Sequence, residues 1–119
     1  MIMAKIAILL TEGPWQTENC EIFVRLAEAA LDKGHEVEGF LYMDGVYNAV
    51  KHQALPGGVT PPVQRMKRLV EKGAKICACG LSTNARGLEY GKEYVDGISV
   101  GGLPDMAEMI SEADAFISL

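Results

Sequence analysis

The chain has two histidines, three cysteines, one tryptophan and five prolines in 119 residues, and each scarcity removes a class of function. His35 opens a strand-like segment and His52 lies in a loop, and no C-x-x-C pair accompanies them. That is too few ligands at the wrong spacing for a zinc site, so no metal is expected. An odd count of three cysteines suits free thiols in a reducing compartment better than a disulfide framework. Basic residues are short too: 11 Lys and Arg stand against 16 Asp and Glu, a formal net charge of -5, with no basic stripe. The electrostatic footprint of direct nucleic-acid binding is therefore missing. No apolar run approaches the ~20 residues that span a bilayer, and the amino terminus lacks the basic start and small-residue cleavage site of a signal peptide. A soluble cytoplasmic protein is the expectation. G-x-G-x-x-G, G-x-x-x-x-G-K-[ST] and a Ser-His-Asp order are all absent, so no nucleotide cofactor is expected.

What remains is globular. Hydrophobic residues make up 49% and charged residues 23%, near the average for folded domains, and the length suits a single domain over residues 1–119. Ile6-Ala7-Ile8-Leu9-Leu10 is a continuous apolar run of the kind found in a strand buried on both faces. From Asn19 to Lys33 apolar residues recur at helical spacing, with Gly34 just beyond as a stop. His35 to Tyr42 reads as a second strand despite its interior Gly39, and 43–48 leaves the sheet as one helical turn. Residues 53–62 form a breaker-rich loop, after which Thr60 is placed to cap a second helix with Pro61 at its first position. Ala74 to Cys79 is a third strand, Leu81 to Gly87 a short helix and Val95 to Val100 a fourth strand. A last helix carries Met106, Ala107, Ile110 and Ala113, and 115–119 closes the chain as a fifth strand. This alternation implies an open parallel α/β sheet of about five strands with helices on both faces.

Three thiols are candidates for chemistry. Cys77 and Cys79 are two apart on one strand, so both side chains leave the same face. Cys77, one pleat further in, reads as a small core hydrophobe whose functional alternative is a resolving thiol. Cys79 stands at the strand's carboxyl end, where Gly80 turns the chain into a helix whose N–H groups favour an anion. Open α/β sheets bind at that edge. Cys20, in the first turn of helix one, is the rival, read as a packed spectator. Arg86 can add to the field at an anion. The acidic residues Asp44, Glu89, Glu93, Asp96 and Asp105 read as solvated surface.

Four stretches resemble one family. They are the strand Ile6 to Thr11 with its Gly-containing loop, the helix exit Lys33-Gly34-His35-Glu36, the loop Tyr42-Met43-Asp44-Gly45-Val46-Tyr47-Asn48-Ala49, and Ile76-Cys77-Ala78-Cys79 running on to Arg86-Gly87. Together they resemble the DsrE/DsrF-like family, in particular its DsrE and TusD type of sulfur-relay subunit. The resemblance implies a flavodoxin-like fold and an assembly of trimers or hexamers, of one chain or of several related ones. It selects Cys79, by its interval to Arg86-Gly87, as a thiol that accepts sulfur as a persulfide from one protein and passes it to another. The strand-turn-helix reading makes Gly80, Leu81 and Arg86 the groups that steady the thiolate, and the resemblance implies that Asp44, Gly45, Val46, Tyr47 and Asn48 form a loop at the site. Two other functions stay open beside this one: an assembly subunit of a DsrEFH- or TusBCD-like complex without chemistry of its own, and a small-ligand module. Several apolar loop residues, among them Val46, Tyr47, Val50 and Leu55, favour an oligomer.

Overall fold

The computed structural model describes residues 3–89 and 92–119. Five parallel strands, β1 (Lys5–Leu10), β2 (Glu36–Leu41), β3 (Lys75–Cys79), β4 (Ile98–Gly101) and β5 (Ala115–Ser118), form one sheet in the order β4-β3-β2-β1-β5. The α-helices are α1 (Asn19–Asp32), α2 (Pro62–Glu71), α3 (Gly80–Ala85) and α4 (Leu103–Glu112), and a 3-10 helix spans Met43–Ala49. The open parallel α/β architecture is the one expected, although this strand order differs from the 2-1-3-4-5 of flavodoxin itself.

Strand order decides which face each helix covers. The chain steps the same way from β1 through β4, so right-handed crossovers put α1 and α2 on one face; the return to β5 puts α4 on the other. The first face holds the larger core, where Ile8, Leu10, Val37, Leu41, Ile76 and Ala78 meet Phe23, Val24 and Ala27 of α1 and Met66 and Leu69 of α2. Gly39 fits here because a Cβ at that position would lie 2.7 Å from Phe23 Cζ. The second face is thinner, built on Ala7, Phe40, Cys79 and Met109 with Met106 and Ile110 at its margin. A single helix covers it.

The local signals are mostly where the sequence puts them. Lys33 ends α1 and Gly34 follows at φ 86°, the left-handed turn a glycine stop supplies. Helix α2 begins one residue later than expected, with extended Pro61 as its cap residue and Pro62 inside its first turn. Thr60 therefore makes no cap; Pro62, which lacks an N–H, fills a position where that donor would have been unpaired anyway. The fourth strand is shorter and later than its apolar pattern suggested, because 92–97 is spent on a turn and a bridge between Val50 and Tyr94. Among the described residues no helix is long and apolar enough to cross a membrane.

Candidate functional site

Cys79 ends β3 and is at the same time the cap residue of α3, with extended backbone at φ -67° and ψ 122°. Its side chain does the capping: the Ser82 N–H donates to Sγ at 3.4 Å. The expected donors were Gly80 and Leu81. Ser82 makes the contact instead, because a cap side chain reaches back to the second or third amide of its helix rather than to the first.

Exposure overturns a second expectation. Cys79 is 0% exposed, whereas Cys77, expected deeper, is only half-buried. Both sulfurs leave the face covered by α4, and Cys79 packs in that face's core while Cys77 lies at its margin. Depth along the strand thus runs opposite to exposure, because the cover comes from one helix and not from the sheet.

The loop at 42–49 and the cysteine helix, far apart in sequence, are stitched together by polar contacts. The Arg86 Nε–H donates to Asp44 Oδ1 at 2.8 Å and its Nη1 reaches the Ser82 carbonyl at 3.2 Å. The Met43 N–H donates to Ser82 Oγ at 2.9 Å. Arg86 therefore closes a seam between the 3-10 helix and α3 instead of contacting the sulfur. The guanidinium, with a smaller contribution from Gln16, holds the Asp44 carboxyl below its ordinary value. Met43 takes up the seam's geometry at φ 53°, a left-handed conformation unusual for a side chain of its kind.

Gly45 and Asn48 fix the loop to the sheet. A Cβ on Gly45 would fall 2.1 Å from the Leu10 carbonyl oxygen, so only hydrogen fits there. Buried Asn48 donates through Nδ2 to the carbonyls of Glu12 (2.9 Å) and Gly45 (3.0 Å), which ties the 3-10 helix to the end of β1. Val46 is buried beside them, and Tyr47 is at the surface.

Sequence reasoning missed three side chains here. Thr83 Oγ1 donates to the Cys79 carbonyl at 2.7 Å, and the buried Tyr94 hydroxyl in turn hydrogen-bonds that Thr83 oxygen. With Ser82 they secure the strand-to-helix corner. The available signal was a pair of hydroxyl residues three and four positions past the cysteine, the spacing at which such side chains bond back to the backbone.

The other two thiols lie in different surroundings. Burial pushes the Cys20 thiol up to about 11, and burial also raises Cys77. Cys20 packs in the first turn of α1, as expected of a spectator. Around the carboxyl rim, large apolar side chains face outward: Leu81 is 72% exposed, Met43 49% and Leu103 42%. They follow β3, β2 and β4 respectively, so they frame the corner that holds Cys79. Among the described residues no group of His, Cys, Asp and Glu is placed to hold a metal ion.

Comparison with known proteins agrees with this fold. The profile of the DsrE/DsrF-like family matches residues 4–119. An uncharacterized protein of Methanopyrus kandleri is 31% identical over 94% of this chain and 91% of its own length. One of Methanocaldococcus jannaschii is 32% identical over 96% and 98%. A protein of Allochromatium vinosum named "Putative sulfurtransferase DsrE" is 28% identical over 95% of this chain and 96% of its own. Among solved structures, the ychN protein of E. coli superposes with a TM-score of 0.89 at 25% identity, covering 98% of this chain and all of that one.

Proposed function

This chain belongs to the DsrE/DsrF-like family, and from that premise we propose that it is a sulfur carrier that holds sulfur as a persulfide on Cys79 and passes it to a partner protein's thiol. The observation that supports this most is the strand-to-helix corner, where the Cys79 sulfur already accepts a backbone N–H from Ser82. The relative named as a sulfurtransferase points the same way.

The chemistry is two exchanges at sulfur. The Cys79 thiolate attacks the outer sulfur of a donor persulfide; a bond forms from Sγ to that sulfur, the donor's S–S bond breaks, and the donor leaves as a thiolate. An acceptor thiolate then attacks the outer sulfur of Cys79–S–SH, and Cys79 departs as a thiolate. There is no net oxidation in either step. The Ser82 amide serves as donor to the negative sulfur at each stage.

Access requires the corner to open. The lock is the seam between Asp44 and Arg86, whose side chains are 44% and 25% exposed. Ion pairs at such positions contribute only about 0–1 kcal/mol, so the seam itself yields easily; the hydrogen bonds of buried Ser82 and Thr83 are the larger hold on α3, and binding at the rim of Leu81, Met43 and Leu103 supplies the energy to open it. The rim's apolar exposure is what a docking protein would cover. The sulfur's burial favours a second reading, an assembly subunit without chemistry of its own.

One experiment separates the two. The protein is incubated with polysulfide, alkylated, and sequenced by tandem mass spectrometry. The carrier gains the mass of one sulfur atom on Cys79, and Cys79→Ser loses the retained sulfur while keeping its circular dichroism spectrum. Retention at the wild-type level by Cys79→Ser, or no sulfur on Cys79 in the wild type, refutes the carrier.

A further inference from the structure

The sulfur assigned to Cys79 is fully buried, yet a second thiol on the same strand face is only half-buried. Cys77 is half-buried and lines a cavity of about 240 Å³ between the sheet and α4. Two residues apart on one strand, the two Cα atoms are separated by roughly 6.6 Å, and both side chains project into the layer beneath α4. Room for the Cys77 sulfur comes from Gly101, the residue paired with Cys79 across β3 and β4. A Cβ on Gly101 would sit 2.5 Å from Asp105 Oδ2 and 3.0 Å from Cys77 Sγ, so the missing side chain leaves room for both the carboxylate and the sulfur beside the position of Cys79.

We propose that Cys77 is the discharge port of the site: it takes the sulfane sulfur from Cys79 and presents it in the cavity to an acceptor thiol. This rests on the assignment of Cys79 as the carrier. The step balances without an oxidant. Cys77 Sγ attacks the outer sulfur of Cys79–S–SH; the bond from Cys77 to that sulfur forms and the bond to Cys79 breaks. The proton lost by the Cys77 thiol is taken up by the departing Cys79 thiolate, leaving Cys77–S–SH and Cys79–SH. Held on neighbouring pleats, the pair reacts as one molecule, which is the advantage of a fixed geometry over an encounter in solution.

The cavity also states what kind of acceptor it takes. Its wall carries the carboxylates of Glu38, Asp105, Glu108 and Glu112 beside Lys75; Lys5 Nζ pairs with Glu38 and Glu112 at 3.2 Å each, so acidic groups still outnumber basic ones there. A positively charged thiol is favoured there and an anionic one is repelled.

Discharge kinetics test this with small thiols as probes. Wild-type protein and Cys77→Ser are loaded with polysulfide to the same occupancy, freed of excess, and mixed with cysteamine or thioglycolate; sulfide release is followed and the remaining sulfur is located by tandem mass spectrometry. In the wild type, sulfur appears on both Cys77 and Cys79, and cysteamine discharges it faster than thioglycolate. In Cys77→Ser sulfur stays on Cys79, discharge slows by on the order of tenfold or more, and the preference for cysteamine disappears. Cys77→Ala must behave the same way, which removes any special effect of the serine. A folded Cys77→Ser that cannot be loaded overturns the proposed order, in which Cys79 takes up sulfur first. Discharge of Cys77→Ser at the wild-type rate, with sulfur on Cys79 alone in the wild type, overturns the port and leaves the carrier standing. Loading and discharge of Cys79→Ser at wild-type levels instead overturns the carrier itself.

Discussion

Replacing Gly45 with alanine puts a methyl group in place of a hydrogen where the chain leaves no room. The new Cβ would lie 2.1 Å from the Leu10 carbonyl oxygen, 2.9 Å from the carbonyl carbon and 3.5 Å from Thr11 Cα, all backbone. No rotamer relieves a clash with main chain, so the 3-10 helix must move by roughly 1 Å or more to regain ordinary contact distances. Three hydrogen bonds depend on that spot: Gly45 N–H to the Tyr42 carbonyl (2.9 Å), Tyr42 N–H to the Leu10 carbonyl (3.0 Å) and Asn48 Nδ2 to the Gly45 carbonyl (3.0 Å). Overpacking commonly costs about 1–3 kcal/mol, and weakening two such bonds adds about 1 kcal/mol each. The expected loss is about 3–5 kcal/mol. With a urea slope of about 2 kcal/mol/M, the midpoint falls by about 2 M. The control is Gly57→Ala, where a Cβ meets nothing within 4 Å; there the stability should rise or stay level, by up to about 1 kcal/mol. Both proteins are compared with the wild type by circular dichroism at one protein concentration. A Gly45→Ala midpoint indistinguishable from that of Gly57→Ala would show that the 3-10 helix is not seated against β1 as described.

Arg86→Met should open the seam, and the alkylation rate of Cys79 in the folded protein should rise severalfold; an unchanged rate would mean that Arg86 does not guard the sulfur. Asp44→Asn should act in the same direction. Because Arg86 lowers the Asp44 carboxyl, the seam's contribution is fully present above the ordinary carboxylate range. It is lost as pH falls below that range, so acid should mimic Asp44→Asn, as read by Cys79 labelling with a reagent that does not require thiolate. Iodoacetamide at neutral pH should label Cys77 well before Cys20, whose thiol is pushed up to about 11 by burial, and Cys20 labelling should climb as the pH approaches that value. Leu81→Asp should leave stability within about 0.5 kcal/mol of wild type and slow sulfur transfer from a donor protein while leaving loading by polysulfide unchanged.

Much of this site is legible in the chain, and the illegible part has one physical source. The apolar run at Ile6–Leu10, the helical spacing from Asn19 and the Gly34 stop are local signals, and the structure follows them. The Cys79-Gly80 corner is local as well, and sequence alone locates the end of β3 correctly. Long-range pairing is another matter. That Asp44 reaches Arg86 depends on the carboxyl ends of two adjacent strands, which neither segment encodes alone, so Asp44 read as ordinary solvated surface. Burial of the two cysteines failed for a similar reason. Position along β3 is written in the sequence, but exposure is set by where a single helix, α4, crosses the opposite face. Ser82 shows the same limit: its amide holds the cysteine, but its hydroxyl meets the N–H of Met43, 39 positions away.

The end of β5 has a practical consequence for anyone attaching this protein to a surface or a label. Leu119 is woven beside β1: its N–H donates to the Leu9 carbonyl at 2.8 Å, and its carbonyl accepts from the Thr11 N–H at 3.0 Å. In a parallel sheet, polypeptide fused after Leu119 emerges on the side where β3 hands over to α3, and polypeptide fused ahead of β1 emerges on the far side. A carboxyl-terminal affinity handle would therefore crowd the corner at Cys79, whereas a handle ahead of β1 would sit nearer the cavity of Cys77, where Lys5 pairs with Glu38 and Glu112.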